Sequence, residues 1–228
     1  MLLDQAITEV RQPKLLLAND ERLLTPAGRT VLAGYLNGGA RIVFYADRAA
    51  DIRRIIELAR REHLHVAIRG GAEAWRVAPQ LAAAGIPVLL DPYVDLPDTL
   101  DSVGSTLENA ARLQRAGVKI AFSFNDPDPH SVFKLRQGAG IAVAHGLPYE
   151  AAVAAMTRNA AEIFGVADLN GSIARGRPAD LVLWSGDPLE VSSLADEVFI
   201  QGVRQSMRSR QTELRDRYLP KVLSHSAR

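Results

Sequence analysis

RIVFYADRAADIRRIIELARREHLHVAI, residues 41–68, opens and closes on short apolar, β-prone runs with a longer segment of helical period between them. The two runs have little polar alternation, the pattern of strands covered on both faces. Strand, helix, strand in that order makes a βα unit on a parallel sheet. Working outward, the same rhythm recurs. Strands are expected at 41–46, 65–68, 87–90 (PVLL) and 119–124 (KIAFSF), with helices at 47–62, 72–84, 100–116, 132–145 and 149–164. Gly85, Gly117, Gly146 and Gly165 each fall just past an apolar-periodic run, where a positive φ closes the last helical turn. Beyond Gly165 the period changes: ADLVLW, SGDP and EVFIQG read as short strands separated by turn residues, a small β appendage and not a fifth βα unit.

These observations divide the chain into a helical lead-in at 1–34, four βα units at 35–165, the β appendage at 166–205, and a charged surface helix with a tail at 206–228. The expected class is α/β, a partial barrel of about four βα units with a small C-terminal β appendage.

Composition narrows the function. The chain has 228 residues, 47% hydrophobic and 23% charged, which is globular and not disordered. Lysine and arginine total 27 against 26 acidic residues, so no global field draws the protein to nucleic acid or to an anionic membrane. There are no cysteines, which removes disulfides, thiolate nucleophiles and cysteine-ligated zinc; any metal must sit on His, Asp or Glu. The first residues do not read as a secretory leader and no apolar run approaches a membrane span, so the chain as written reads as cytoplasmic.

GSIARGRPADLVLWSGDPLEVSS at 171–193, preceded by TRNAAEIFGV at 157–166, resembles the C-terminal signature of the amidohydrolase superfamily. Upstream, YADRAADIRRIIELAR resembles the segment that begins at the fifth strand of imidazolonepropionase-like members. IRGGAEAWRVAPQLAAAGIPVLLDP resembles their sixth strand, helix and seventh strand, and KIAFSFND their eighth. The resemblance covers about residues 35–220, and corresponds to the second half of a full (β/α)8 barrel.

It implies a site at the C-terminal mouth of the barrel, where one or two divalent metals, zinc above all, activate water to attack a C–N bond. The family's ligands are an HxH pair on the first strand, a His on each of the fifth and sixth, and an Asp on the eighth that also shuttles the proton. The HxH pair matches no residue of this chain. Tyr45 stands where the fifth-strand His is expected, followed by Asp47 and Arg48, and Arg69-Gly70-Gly71 replaces the sixth-strand run. Asp126 matches the eighth-strand acid and is the candidate metal ligand and catalytic residue, with His130 close by in the loop DPDPH. Gly70-Gly71 before a helix would also present free backbone N–H groups to an anion, with Arg48 and Arg69 beside it. Tyr45, Asp47, Arg48, Arg69, Gly70, Gly71 and His130 are therefore the candidate substrate-binding residues.

Two readings follow. One is a metal-dependent amidohydrolase that hydrolyses a non-peptide or small peptidic C–N bond, inactive as this chain alone. The other is a non-catalytic half-barrel that binds a small molecule or serves as a structural, oligomerising module. Four parallel strands leave two edges open, so a homodimer or a complementing N-terminal half encoded elsewhere is the expected protein partner.

Overall fold

The computed structural model describes residues 2–13, 22–93, 96–124 and 133–226. The chain forms two compact units, Met1–Ser172 and Ile173–Arg228.

In the first unit, four strands pair in parallel in chain order: β1 (Ile42–Ala46), β2 (Val66–Gly70), β3 (Val88–Leu90) and β4 (Ile120–Phe122). The register runs from Ile42 opposite Val66 to Ala46 opposite Gly70, then Arg69 opposite Leu89 and Leu89 opposite Ala121. Sequential order with right-handed crossovers places α3 (Ala49–Glu62), α4 (Ala78–Ala84) and α5 (Asn109–Arg115) on one side of the sheet. That is the winding of a barrel segment. The sheet does not close, since β1 and β4 are its edges.

Val66, Ile68, Val88, Leu90 and Ile120 alternate onto one face and are almost fully buried, as are Ile52, Ile56, Leu81 and Leu113 of the helices. Burying each of these aliphatic side chains contributes about 1.5–3 kcal/mol before entropy is counted. On the other face Ala67, Leu89 and Ala121 form a buried cluster with Ile163 and Ala160. Those two residues belong to α8 (Arg158–Ile163), so the last helix of this unit covers the face that the others leave open. Arg41 fixes it there, donating from Nε to the Ile163 carbonyl (2.9 Å) and from Nη1 to the Val66 carbonyl (2.8 Å).

Two helices precede β1: α1 (Leu2–Arg11) and α2 (Pro26–Leu36). Thr25 caps α2 by accepting from Gly28 N, and Pro26 occupies its first turn. Glu9, 1% exposed, accepts from the Leu23 and Leu24 amides and ties the two helices together.

Several helices differ from expectation, each for a local reason. The third begins at Ala49, because Asp47 is used elsewhere, and ends on His63 in the left-handed region (φ 54°) without a glycine. The segment 72–84 opens as a 3-10 turn, Ala74–Val77, before α4. The helix expected from residue 100 starts only at Asn109. Upstream, the Ser102 hydroxyl accepts from the Asp98 and Thr99 amides and donates to Asp98 Oδ1, a side-chain network that competes with helical bonding. After α6 (Leu135–Ala144), the segment 149–164 is two helices, α7 (Tyr149–Met156) and α8, broken at Thr157 (φ −125°, ψ −94°).

The second unit is an antiparallel sheet of β5 (Leu181–Trp184), β6 (Ala195–Ile200) and β7 (Val203–Arg204), followed by α9 (Arg210–Ser226). Gln201 and Gly202, at φ 50° and 78°, form the two-residue turn between β6 and β7. Asp180 supports that turn by accepting from Gln201 N at 2.7 Å. Among the described residues no helix is long and apolar enough to cross a membrane.

Candidate functional site

Parallel α/β sheets carry their ligand chemistry at the carboxyl ends of the strands, where the ladder stops and side chains are free to converge. Here that edge is formed by Tyr45, Asp47, Arg69, Gly70, Asp91, Ser123 and Phe124. Tyr45 lies opposite Arg69 in the β1–β2 register, and Ala46 opposite Gly70.

Asp47 organises the first half of the edge. Its carboxylate Oδ1 accepts from Ala72 N (3.1 Å), and its main-chain carbonyl accepts from Glu73 N (2.8 Å). Gly71 N donates to the Ala46 carbonyl (2.9 Å), and Ala74 N to the Gly71 carbonyl. The Asn109 side-chain amide, 1% exposed, donates to the same Gly71 carbonyl at 2.9 Å. The expectation of free N–H groups at Gly70-Gly71 is therefore corrected. The amides of Gly71, Ala72 and Glu73 are taken within the chain, and the anion they meet at Ala72 is the protein's own carboxylate. Both glycines are needed by the backbone, at φ 90° and 75°. A Cβ on Gly70 would stand 2.6 Å from Asp47 Oδ1, and one on Gly71 3.0 Å from Val88 Cγ1.

The Tyr45 phenol is pushed up to about 12, chiefly by hydrogen bonding toward the Asp47 carboxylate, with smaller contributions from burial and from the Asp47 charge. The hydroxyl thus stays protonated at neutral pH. Arg48 forms an exposed ion pair with Asp101, of the kind that contributes roughly 0–1 kcal/mol. Glu73 Oε2 accepts from Ala49 N (2.9 Å) and so serves the first turn of α3 in place of a conventional cap.

The second half of the edge is built around Arg69. Its Nη2 donates to the Phe124 carbonyl at 2.7 Å, reaching across β3 to the end of β4. Asp91, 7% exposed, accepts from Tyr93 N. Ser123 continues the ladder beyond β4 through its amide, which donates to the Leu90 carbonyl (2.7 Å), while its Oγ is shut off from solvent with no hydrogen-bond partner among the described residues. Sequence reasoning passed over Asp91 and Ser123. The available signal was the strand pleat, which puts each two residues past an inward-facing Leu89 or Ala121.

Asp126 and His130 lie outside the described residues. Among the described residues there is no group of three or more His, Asp or Glu side chains placed to hold a metal ion. The positions that the sequence resemblance sets against the family's imidazoles carry none: Tyr45 is a phenol, and Gly70 has no side chain, with a Cβ there placed 2.6 Å from Asp47 Oδ1. Two of the described histidines serve backbone geometry: His63 closes α3, and His145 Nδ1 lies 2.8 Å from the Ile141 carbonyl at the end of α6.

This arrangement meets known proteins in three ways. Residues 33–208 match the amidohydrolase family. Imidazolonepropionase of Cupriavidus pinatubonensis is 31% identical over 177 residues, 74% of this chain and 37% of that protein; imidazolonepropionase of Paracidovorax citrulli is 37% identical over 111 residues, 47% of this chain and 25% of that protein. The crystal structure of an amidohydrolase from Thermotoga maritima superposes with a TM-score of 0.80 at 30% identity, covering 91% of this chain and 55% of that one. The chain thus spans about a third or less of these curated relatives and about half of the solved structure. On its matched strands and signature, the chain belongs to the amidohydrolase family.

Proposed function

We propose that this chain supplies the strand-five to strand-eight portion of an imidazolonepropionase-like amidohydrolase barrel, and that the carboxyl edge of its sheet binds a small molecule without assembling the family's hydrolytic metal centre. The family is one of hydrolases acting on C–N bonds, and the edge lies where such enzymes hold their substrate. One observation carries the reading: the Cβ position of Gly70, matched to a family imidazole, lies 2.6 Å from Asp47 Oδ1, so the side chain that would reach a metal is replaced by an internal carboxylate contact. Activation of water by a metal at neutral pH needs several such ligands with an open position.

A second reading keeps hydrolysis, on the strength of family membership and of Asp126 as the eighth-strand acid. Elemental analysis of protein purified from zinc- and manganese-supplemented medium separates the two, followed by assays on cyclic and linear amides. Substoichiometric metal and no turnover are expected. Stoichiometric metal that disappears in Asp126→Asn, together with amide hydrolysis, would overturn the proposal in favour of the enzyme.

A further inference from the structure

We infer that the amino end of the parallel sheet carries a binding site for a small aromatic monoanion, in a cavity between the residues that lead into β1, β3 and β4 and the end of α8. It lies at the opposite end of the sheet from the edge described above and stands independently of what that edge binds.

The cavity measures about 280 Å³. Its floor is apolar: Leu81 of α4, Ile86 and Pro87 before β3, Val118 before β4, and Ile163 of α8. All five are buried. Gly85 and Gly117, in the turns that lead into those two strands, border the same space, and a Cβ added at either would meet nothing within 4 Å. Protein interiors are ordinarily filled to the density of organic crystals, whereas here buried side chains wall a space that the fold leaves open. Pockets for drug-sized ligands run from about 300 to 1,000 Å³, so this one takes a single ring with one polar handle.

The rim sets the charge of that handle. On one side Arg41 is held by its Nε bond to the Ile163 carbonyl (2.9 Å) and its Nη1 bond to the Val66 carbonyl (2.8 Å), and its Nη2 group carries two further donors. Burial pulls this guanidinium down from its ordinary value, as for a cation that has given up water. On the other side Lys119 Nζ donates to Glu162 Oε2 (2.7 Å), and Arg158 Nε stands 3.7 Å from the other oxygen of that carboxylate. One carboxylate is thus shared between two exposed cations, while the half-buried Arg41 faces main-chain carbonyls. A carboxylate on the ligand answers Arg41 through a charge-assisted bond from Nη2, and the ring covers the apolar floor. Phosphate has no apolar part for that floor, and the Ile163 and Val66 carbonyls beside the guanidinium oppose a second negative charge.

The test is titration of the full chain with benzoate, with benzamide and with inorganic phosphate, followed through backbone amide shifts in isotope-labelled protein. Benzoate is expected to bind saturably and at least about tenfold more tightly than benzamide, since a charged acceptor roughly doubles the strength of the bond. Phosphate is expected to bind more weakly than benzoate. The shifts should centre on Ile86, Val118 and Lys119. Ala82 lines the cavity from α4 and is half-buried, so Ala82→Phe places a ring in the ligand's space and should weaken benzoate at least about tenfold, the worth of one buried side chain. Arg41→Gln should erase the preference for benzoate over benzamide; should circular dichroism show that it does not fold, Ala82→Phe carries the test. No saturable benzoate binding, binding undiminished in Ala82→Phe, a preference that survives in folded Arg41→Gln, or shifts centred on Ala46 and Gly70 would each overturn the site. Phosphate bound as tightly as benzoate would overturn the ligand class.

Discussion

Gly70→Ala is a small change with a large expected effect. At φ 90° an L-residue gives up about 1–2 kcal/mol for the left-handed backbone alone. The added methyl would also stand 2.6 Å from Asp47 Oδ1, a separation that Cβ atoms do not tolerate, so the carboxylate must withdraw from the Ala72 amide. Losing a hydrogen bond to a charged group adds about 1.5–3 kcal/mol. The sum is about 2.5–5 kcal/mol, or a fall in Tm of roughly 5–20 °C for a protein of this size. Urea unfolding measures it cleanly if Trp184→Phe is the background, because Trp75 then reports on the first unit alone. Gly85→Ala is the control: φ is 62°, but nothing lies within 4 Å of its added Cβ, so only the backbone cost of about 1–2 kcal/mol applies. In the Asp47→Ala background the clash is gone, and Gly70→Ala should cost no more than that control. If Gly70→Ala is as mild as Gly85→Ala with Asp47 in place, the carboxylate does not hold this turn and the argument against an imidazole there collapses.

Tyr45 should titrate well above the ordinary tyrosine value. Its phenol is raised to about 12 from an ordinary 10, so its stabilising contribution is complete below about pH 10 and is lost as pH rises through about 12. Ultraviolet absorbance of wild type minus Tyr45→Phe isolates that step, and Asp47→Asn should move it downward; a midpoint near 10 in wild type would contradict the Tyr45–Asp47 bond. Arg41→Gln should lower stability by about 3 kcal/mol, since two charge-assisted bonds to the Ile163 and Val66 carbonyls are partly exposed and each sits at the low end of its range, about 1.5 kcal/mol. The urea midpoint checks it, and an unchanged midpoint would mean that α8 holds its place by apolar contact alone.

The strands β2, β3 and β4 were legible because residues buried on both faces leave an uninterrupted apolar run, such as PVLL and KIAFSF. The strand β1 corrects the expectation of cover on both faces: it is an edge of the sheet, with Val43 and Tyr45 exposed. Helix starts were less so. Asp98, Thr99 and Ser102 bond among themselves and delay α5 to Asn109, a choice between local hydrogen bonds that apolar periodicity does not encode. At the site, Tyr45, Asp47, Arg69 and Gly70 were visible as the last residues of two strands. What Asp47 does was not: an acid after a strand can cap the following helix or reach to the next strand, and only the three-dimensional proximity of Ala72 decides. Ser123 went unnoticed because a serine in an apolar run looks like tolerance until its hydroxyl is found buried, with no partner among the described residues.

The register explains why residues at the strand ends can vary while the fold is kept. Ligands of a strand-end metal lie where main-chain pairing stops, so replacing them leaves the ladder from Ile42–Val66 to Ala46–Gly70 untouched. What an ion shared between two strands would add is a tether across their ends. In this chain Gly71 N bonds to the Ala46 carbonyl, Glu73 N to the Asp47 carbonyl and Ala72 N to the Asp47 carboxylate, three bonds from the turn after β2 to the end of β1. A tether of this kind needs a residue without a side chain at position 70 and an acid at 47, because a Cβ at 70 would stand 2.6 Å from Asp47 Oδ1. Placing an imidazole at 70 would therefore have to dismantle the contact that holds the ends of β1 and β2 together.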